Sequence, residues 1–447
     1  MVTGVGTILL VVAIAACESP ARAMTSLRWG VVPSSCVPDR AAANRAAGVK
    51  LVVLEALWDH YQPTPSGVDD DYVRELNVRL STCLGAGLRV ILSPGVQYPP
   101  AWVRQLPGAA FRDQHGSAPA SGAVNVVFSA PVRQAVHEYL RRLTVDLPLA
   151  QVEAVRLGTT DAGELGYPGP TDGPGDGAHD WWAFDDAAQT GVGLPADQAP
   201  TPLPGWVPGE TTWRGRTVTT DDAAGWFQWY QRALVGAVVG QAEVLRAAGY
   251  GRDLHIPVAG RGVLPIDLQR ATAARLDGSA DPDGSLERGL YYPDQFALLA
   301  DASVARKDEG SAFVLDLTSV DDATAVRARN LTPPQDTCRI EDPEASLHLT
   351  TPVHSWANLR WSRAIAARTG LSVIGENPGP PSAATGGTAD SDSEAEQLVH
   401  APRYAVECRL AAFLFAFEDD LHTGRSAVTL EDYARVISDE PPPTELR

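Results

Sequence analysis

The chain reads as an α/β protein of the (β/α)8 barrel class, with long loops after its fourth and seventh strands. Three observations carry that reading. Eight short apolar runs bounded by Gly, Pro or Asp recur along the chain, and such runs suit strands buried on both faces. Longer amphipathic stretches separate them, the alternation of a parallel sheet crossed by helices. The 447 residues, 44% hydrophobic and 20% charged, suffice for one elaborated barrel with a large core.

The strand runs are Leu27–Val32, Leu51–Leu54, Arg89–Leu92, Ala154–Leu157, Leu254–Ala259, Ala312–Leu317, Leu371–Ile374 and Ala411–Phe417. Helical periodicity marks a short segment near Asp39–Ala47, then Asp70–Ala86, Ala130–Thr144, Asp221–Ala248, Ser355–Thr369 and Leu430–Ile437. The unit between Val263 and Asp308 is irregular. Two stretches break the rhythm: Gly166–Thr220, rich in Gly, Pro, Asp and Trp, and Pro378–Glu394, rich in Gly, Ser, Pro and Asp. Loops after strands lie on the C-terminal face of a barrel, where sites are built. The expected organisation is a targeting segment at 1–23, one barrel at 24–437 with an insertion at 166–220, and a frayed acidic tail at 438–447.

The apolar run Thr7–Cys17 is too short to span a bilayer comfortably and reads as the core of an export signal. Two processing routes stay open. Ile14-Ala15-Ala16-Cys17 resembles a bacterial lipobox, which would place a lipid anchor on Cys17 as the only membrane contact. Ala21-Arg22-Ala23 would instead release a protein starting at Met24. Either route leaves Cys36, Cys83, Cys338 and Cys408, an even count that suggests disulfides in an exported chain. The pairing Cys36–Cys83 and Cys338–Cys408 is favoured, because each pair joins adjacent units of the fold. No zinc spacing is present.

The net charge is −19 and Lys occurs only at Lys50 and Lys307. A basic surface for nucleic acid is therefore excluded as a partner site, and polyanions would be repelled. No phosphate-binding glycine motif follows a strand, so no organic cofactor is implied. Neither a Gly-x-Ser-x-Gly elbow nor a His-Glu-x-x-His helix occurs.

Two acids stand where barrel chemistry is expected. Glu164 follows the fourth run through a Gly-containing turn, beside Leu165 and Tyr167, whose apolar character should raise its pKa. Asp161 is its neighbour and competitor. Glu376 directly follows the seventh run; Gly375 should admit a ligand closely and Asn377 should orient it. Glu55 and Trp58 end the second run, and Asp419 follows the eighth. Trp181 and Trp182 belong to a cluster with Trp206, Trp213, Trp226 and Trp229 around the fourth loop. Exposed indoles suit the C–H faces of sugars; the alternative is a private core for the insertion. The loop aspartates do not follow an EF-hand spacing, and no metal is assigned. Two carboxyls flanking one cleft are what cleavage of a glycosidic bond requires.

The run Gly48–Trp58, then Tyr61-Gln62-Pro63 and Tyr98-Pro99-Pro100-Ala101-Trp102, is similar to family 42 β-galactosidases of the clan A barrel type. Gly163-Glu164-Leu165-Gly166-Tyr167-Pro168 is similar to the Gly-Glu-Leu-x-Tyr-Pro stretch of family 14 β-amylases, where the Glu is the general acid. The resemblance implies that Glu164 is the acid or acid/base and Glu376 the base or nucleophile. It departs at the fourth strand, where family 42 enzymes carry Asn-Glu and no Asn precedes Glu164 here. The expected activity is hydrolysis of an oligo- or polysaccharide outside the cytoplasm, with Glu55, Trp58, Asp161, Tyr167, Trp181, Trp182, Asn377 and Asp419 binding the sugar. The alternative is an exported carbohydrate-binding barrel without catalysis.

Overall fold

The structure, a computed structural model, describes residues 27–169, 179–277, 284–304, 312–320, 336–349, 351–376, 394–423 and 428–439. Residues 1–26 and 440–447 lie outside it, and with them the targeting segment, Cys17 and most of the tail.

Eight parallel strands close on themselves: β1 (Arg28–Val32), β2 (Leu51–Glu55), β3 (Arg89–Ser93), β4 (Ala154–Arg156), β5 (Asp253–Val258), β6 (Phe313–Leu317), β7 (Ser372–Glu376) and β8 (Ala412–Ala416). Neighbours in sequence are neighbours in the barrel, and β1 pairs with β8 from Arg28–Ala412 to Val32–Ala416. The principal outer helices are α1 (Pro38–Ala46), α2 (Asp70–Gly85), α3 (Ala130–Asp146), α4 (Thr220–Ala247), α5 (Tyr292–Val304), α6 (Asn358–Thr369), α7 (Glu394–Glu407) and α8 (Leu430–Ser438). Every expected strand is present within one or two residues at either end.

Successive strand residues point to opposite faces. Val32, Leu51, Val53, Ile91, Ala154, Val314, Ile374, Ala412 and Leu414 fill the barrel interior. Their sequence neighbours Val31, Val52, Val90, Val155, Leu315, Val373 and Phe413 pack under the helices. Both faces are therefore buried, which is why the runs are apolar without alternation. The same two-residue period carries Glu55, Arg156, Asp316 and Glu376 to the inner face at or near strand C-terminal ends.

The irregular unit holds a short helix, Pro265–Ala273, and α5. The insertion after β4 carries a five-residue helix, Asp186–Thr190, and a hairpin pairing Thr212–Trp213 with Arg216–Thr217. It closes on α4, which starts with a capping box between Thr219 and Asp222. Both favoured disulfides form. Cys36–Cys83 ties the loop after β1 to α2, and Cys338–Cys408 ties the approach to α6 to the end of α7, with Cα atoms 5.3 and 5.0 Å apart. Among the described residues no helix is long and apolar enough to cross a membrane.

Candidate active site

Glu376 is the last residue of β7 and Arg156 the last of β4, and both face the barrel interior. Arg156 Nη2 lies 3.4 Å from Glu376 Oε1 and 3.3 Å from Asp316 Oδ2. The register explains the meeting: Arg156 is level with His255 on β5, and Asp316 with Pro257 on β5 and Ile374 on β7.

Glu164 is delivered by a tight turn after β4. The backbone N–H groups of Thr159 and Thr160 both donate to its carbonyl, and its own N–H donates to Thr160 Oγ1. Gly163 holds φ +77°, the left-handed region that favours glycine, and a Cβ there would sit 3.2 Å from the Gln97 side chain. Leu165 N–H then donates to the Pro257 carbonyl and pins the turn to β5. Each carboxylate oxygen of Glu164 has a donor: Thr318 Oγ1 at 2.5 Å and Arg288 Nη2 at 3.2 Å. The expectation of apolar neighbours is corrected here; a guanidinium and a hydroxyl hold this acid. The side chains of Glu164 and Glu376 are 14% and 12% exposed, so both reach the mouth.

Burial dominates the electrostatics. It pushes Glu376 up to about 8, against the opposing pull of Arg156 and with repulsion from Asp316 and Glu164 added. Asp316 is raised by burial, eased by Arg156 and reinforced by Glu164. Glu55 is raised by burial, with Arg156 and Arg79 opposing. Burial works against the charge of Arg156, but Glu376, Asp316 and Glu55 outweigh it. Burial, then Arg156 and Arg28, pull His255 down to about 3 and keep it neutral. Ser93, Gln97, Arg156 and Thr160 line a small, water-sized hollow beside Arg156.

The other expected site residues divide. Glu55 joins the charged interior. Trp58 is fully buried, stacked on Tyr139 at 5.0 Å and edge-on to Trp102, so it is a core residue and not a sugar platform. Tyr167 is also buried; it stacks on Tyr230 at 3.8 Å and donates its hydroxyl to the Tyr230 carbonyl. Trp181 and Trp182 are buried in the insertion's own core, the former edge-on to Trp226 at 5.3 Å. The private-core alternative holds for these two indoles, which pack on Trp226 and Tyr230 of α4. Asp161 is exposed on the turn. Asp419 is 64% exposed and pairs with Arg40. Asn377 lies outside the described residues. Gly375 faces outward, where a Cβ would meet Val320 at 2.5 Å and Leu410 at 2.9 Å, so its smallness serves packing and not ligand approach.

Sequence reasoning missed Arg156, Asp316, Thr318 and Arg288. The signal for the first two was present: each is a charge inside an otherwise apolar strand, a rare placement that calls for a partner. Two exposed aromatics were also missed. Phe417, immediately after β8, is 43% exposed, and Tyr98, within electrostatic reach of Glu55, is 39% exposed.

The backbone aligns with the catalytic domain of the β-amylase from Paenibacillus polymyxa at TM-score 0.58 and 13% identity, over 93% of this chain and 98% of that one. The chain shares its closed (β/α)8-barrel fold with this β-amylase domain. The β-galactosidase from the psychrophilic Marinomonas ef1 aligns at TM-score 0.54 and 14% identity, over 92% of this chain and 59% of that one. That from the haloarchaeon Halorubrum lacusprofundi aligns at TM-score 0.54 and 14% identity, over 92% and 58%. The chain thus spans well under two thirds of the length of those two β-galactosidases. No family model matches the sequence, and no curated protein matches it. The likeness to these glycosidases is one of fold, so function has to be argued from the site.

Proposed function

We propose that the chain is an exported glycoside hydrolase that cleaves oligo- or polysaccharide bonds with Glu164 and Glu376. The observation that carries this reading is the arrival of two carboxylates from the β4 turn and the end of β7 at one barrel mouth, close enough that the charge of Glu164 raises Glu376. In this reading Glu164 protonates the leaving oxygen, and Glu376 attacks the anomeric carbon or activates water. Arg156 holds Oε1 of Glu376 and steadies its negative form. Oε2 is buried and has no hydrogen-bond partner among the described residues. A net charge of −19 favours a neutral glycan. Two disulfides support an oxidising location outside the cytoplasm. The binding-only alternative depended on indole platforms; Trp58, Trp181, Trp182, Trp206 and Trp226 are buried, and only Trp213 and Trp229 of the named indoles are half-buried.

The test is a panel of neutral glycans assayed for new reducing ends, with Glu164→Gln and Glu376→Gln as controls. Hydrolysis by the parent protein that falls in both variants supports the reading. Hydrolysis that survives in both ends it, and binding without cleavage would favour the carbohydrate-binding barrel. The anomer released first, followed by NMR, separates retention from inversion.

A further inference from the structure

Asp316 has no place in the reaction of Glu164 and Glu376, yet a carboxyl buried on an inner strand face is costly. It is fully buried on the inner face of β6, and neither of its oxygens has a hydrogen-bond partner among the described residues. Among the described residues its favourable charged neighbour is Arg156 Nη2, the same nitrogen that faces Glu376 Oε1. One guanidinium nitrogen therefore serves two carboxylates, and each keeps an unpaired oxygen inside the barrel.

The surrounding groups do not repair this. Strand β2 adds a third acid, Glu55, which also leans on Arg156. The β4 turn adds Glu164, already held by Thr318 and Arg288. Strand β5 offers His255, kept neutral by burial and with Nδ1 unpartnered among the described residues. Strands β1, β3 and β8 present Val32, Ser93 and Ala416 at this level and no charge. Arg79 and Arg28 act only from the periphery, on Glu55 and His255. With Glu55, Asp316 and Glu376 all ionised, one cation would face three anions in a closed interior. Like charges that share a low-dielectric site cannot all ionise at neutral pH.

We propose that Asp316 is a positioning residue for Glu376: the two carboxyls share one proton across the Arg156 guanidinium at neutral pH, and Asp316 thereby sets the pH at which Glu376 becomes ionised. A proton on either carboxyl removes one of the competing charges. It also turns an unpaired oxygen into a donor. The sharing stands on the geometry alone; its catalytic consequence rests on the reading of Glu376 as base or nucleophile.

Infrared difference spectroscopy of the whole protein, titrated from acid to alkaline pH, tests the sharing without any substrate. The parent protein should show a protonated-carboxyl stretch at neutral pH that disappears on the alkaline side. Asp316→Asn and Glu376→Gln should each abolish that component at neutral pH, because either leaves one carboxylate alone with Arg156. A component that survives either substitution belongs to a carboxyl that holds its proton by itself, and overturns the proposal. Should Asp316→Asn not fold, the Glu376→Gln spectrum decides in the same way. In turnover, Asp316→Asn should move the acidic limb of kcat/KM down by about one pH unit with KM unchanged. An unmoved limb beside a lost infrared component would leave the shared proton intact and remove Glu376 from catalysis, so the two readings fail separately.

Discussion

Glu376 is placed where burial and a cation pull in opposite directions, and burial wins. Its carboxyl, pushed up to about 8, is protonated in the folded chain over a range where the unfolded chain has already ionised it. Folding therefore binds extra protons between the ordinary glutamate range and about 8, and the stability tied to this group is lost as pH rises through that window. Glu376→Gln should raise the melting temperature relative to the parent above neutral pH. The difference should vanish in acid, where both forms are uncharged; a constant difference across pH would contradict this. If Glu376 must be ionised to act, kcat/KM should climb with pH until about 8. Glu164→Gln should lower kcat by about 10²–10⁴-fold, the usual worth of a positioned acid. Phe417 should behave as surface: Phe417→Ala should weaken glycan binding severalfold and leave the melting temperature nearly unchanged. The converse is expected of Trp58, which touches only core. Trp58→Ala should cost about 3–5 kcal/mol of stability by denaturant titration, with any loss of activity following the loss of fold.

At the level of elements, the insertion after β4 is a small aromatic core built on the side of the barrel. Trp226 on α4 is its centre, stacked on Tyr230 at 5.1 Å and edge-on to Trp181 and Trp206. Trp226→Ala should therefore open this region to protease at concentrations that leave the barrel intact, read as early cleavage between 179 and 219. The contrast between insertion and barrel also shows what a sequence reveals. The eight strands were legible because burial on two faces leaves a continuous apolar run, and Gly, Pro or Asp marks each end. The Trp cluster was legible as a cluster, but its orientation was not. Whether an indole is covered depends on which distant ring lies over it, and Trp181 meets Trp226 from 45 positions away. Glu164 and Glu376 were legible because each follows a strand end. Arg156, Asp316 and Thr318 were not read as a set, because their meeting depends on barrel register, which pairs β4 with β5 and β5 with β6.

Across the whole molecule, two histidines, buried His255 and half-buried His137, oppose the trend set by Glu376. Burial lowers His137 to about 4, with Arg133 adding to it, and holds His255 at about 3. Both stay neutral when folded and take up protons when unfolded, so the stability they provide is present above the ordinary histidine range and lost as pH falls toward these values. A denaturant midpoint that declines on both sides of neutrality is expected, and a midpoint rising steadily into acid would refute it. The disulfides, which span 47 and 70 residues, each stabilise the fold by about 4 kcal/mol in the chain-entropy model. Reduction should lower the melting temperature without abolishing the barrel. The seam between β1 and β8 has a consequence of a different kind. Buried Glu418, just past β8, accepts hydrogen bonds from Ser34, Ser35 and Asn44, and Tyr433 on α8 donates to the Gly30 carbonyl. The first strand thus waits for the last segment before its edge is covered. A nascent chain halted anywhere short of Ala412 presents two bare strand edges to its neighbours, so ribosome stalling or C-terminal truncation would yield a sticky half-cylinder in place of a smaller barrel.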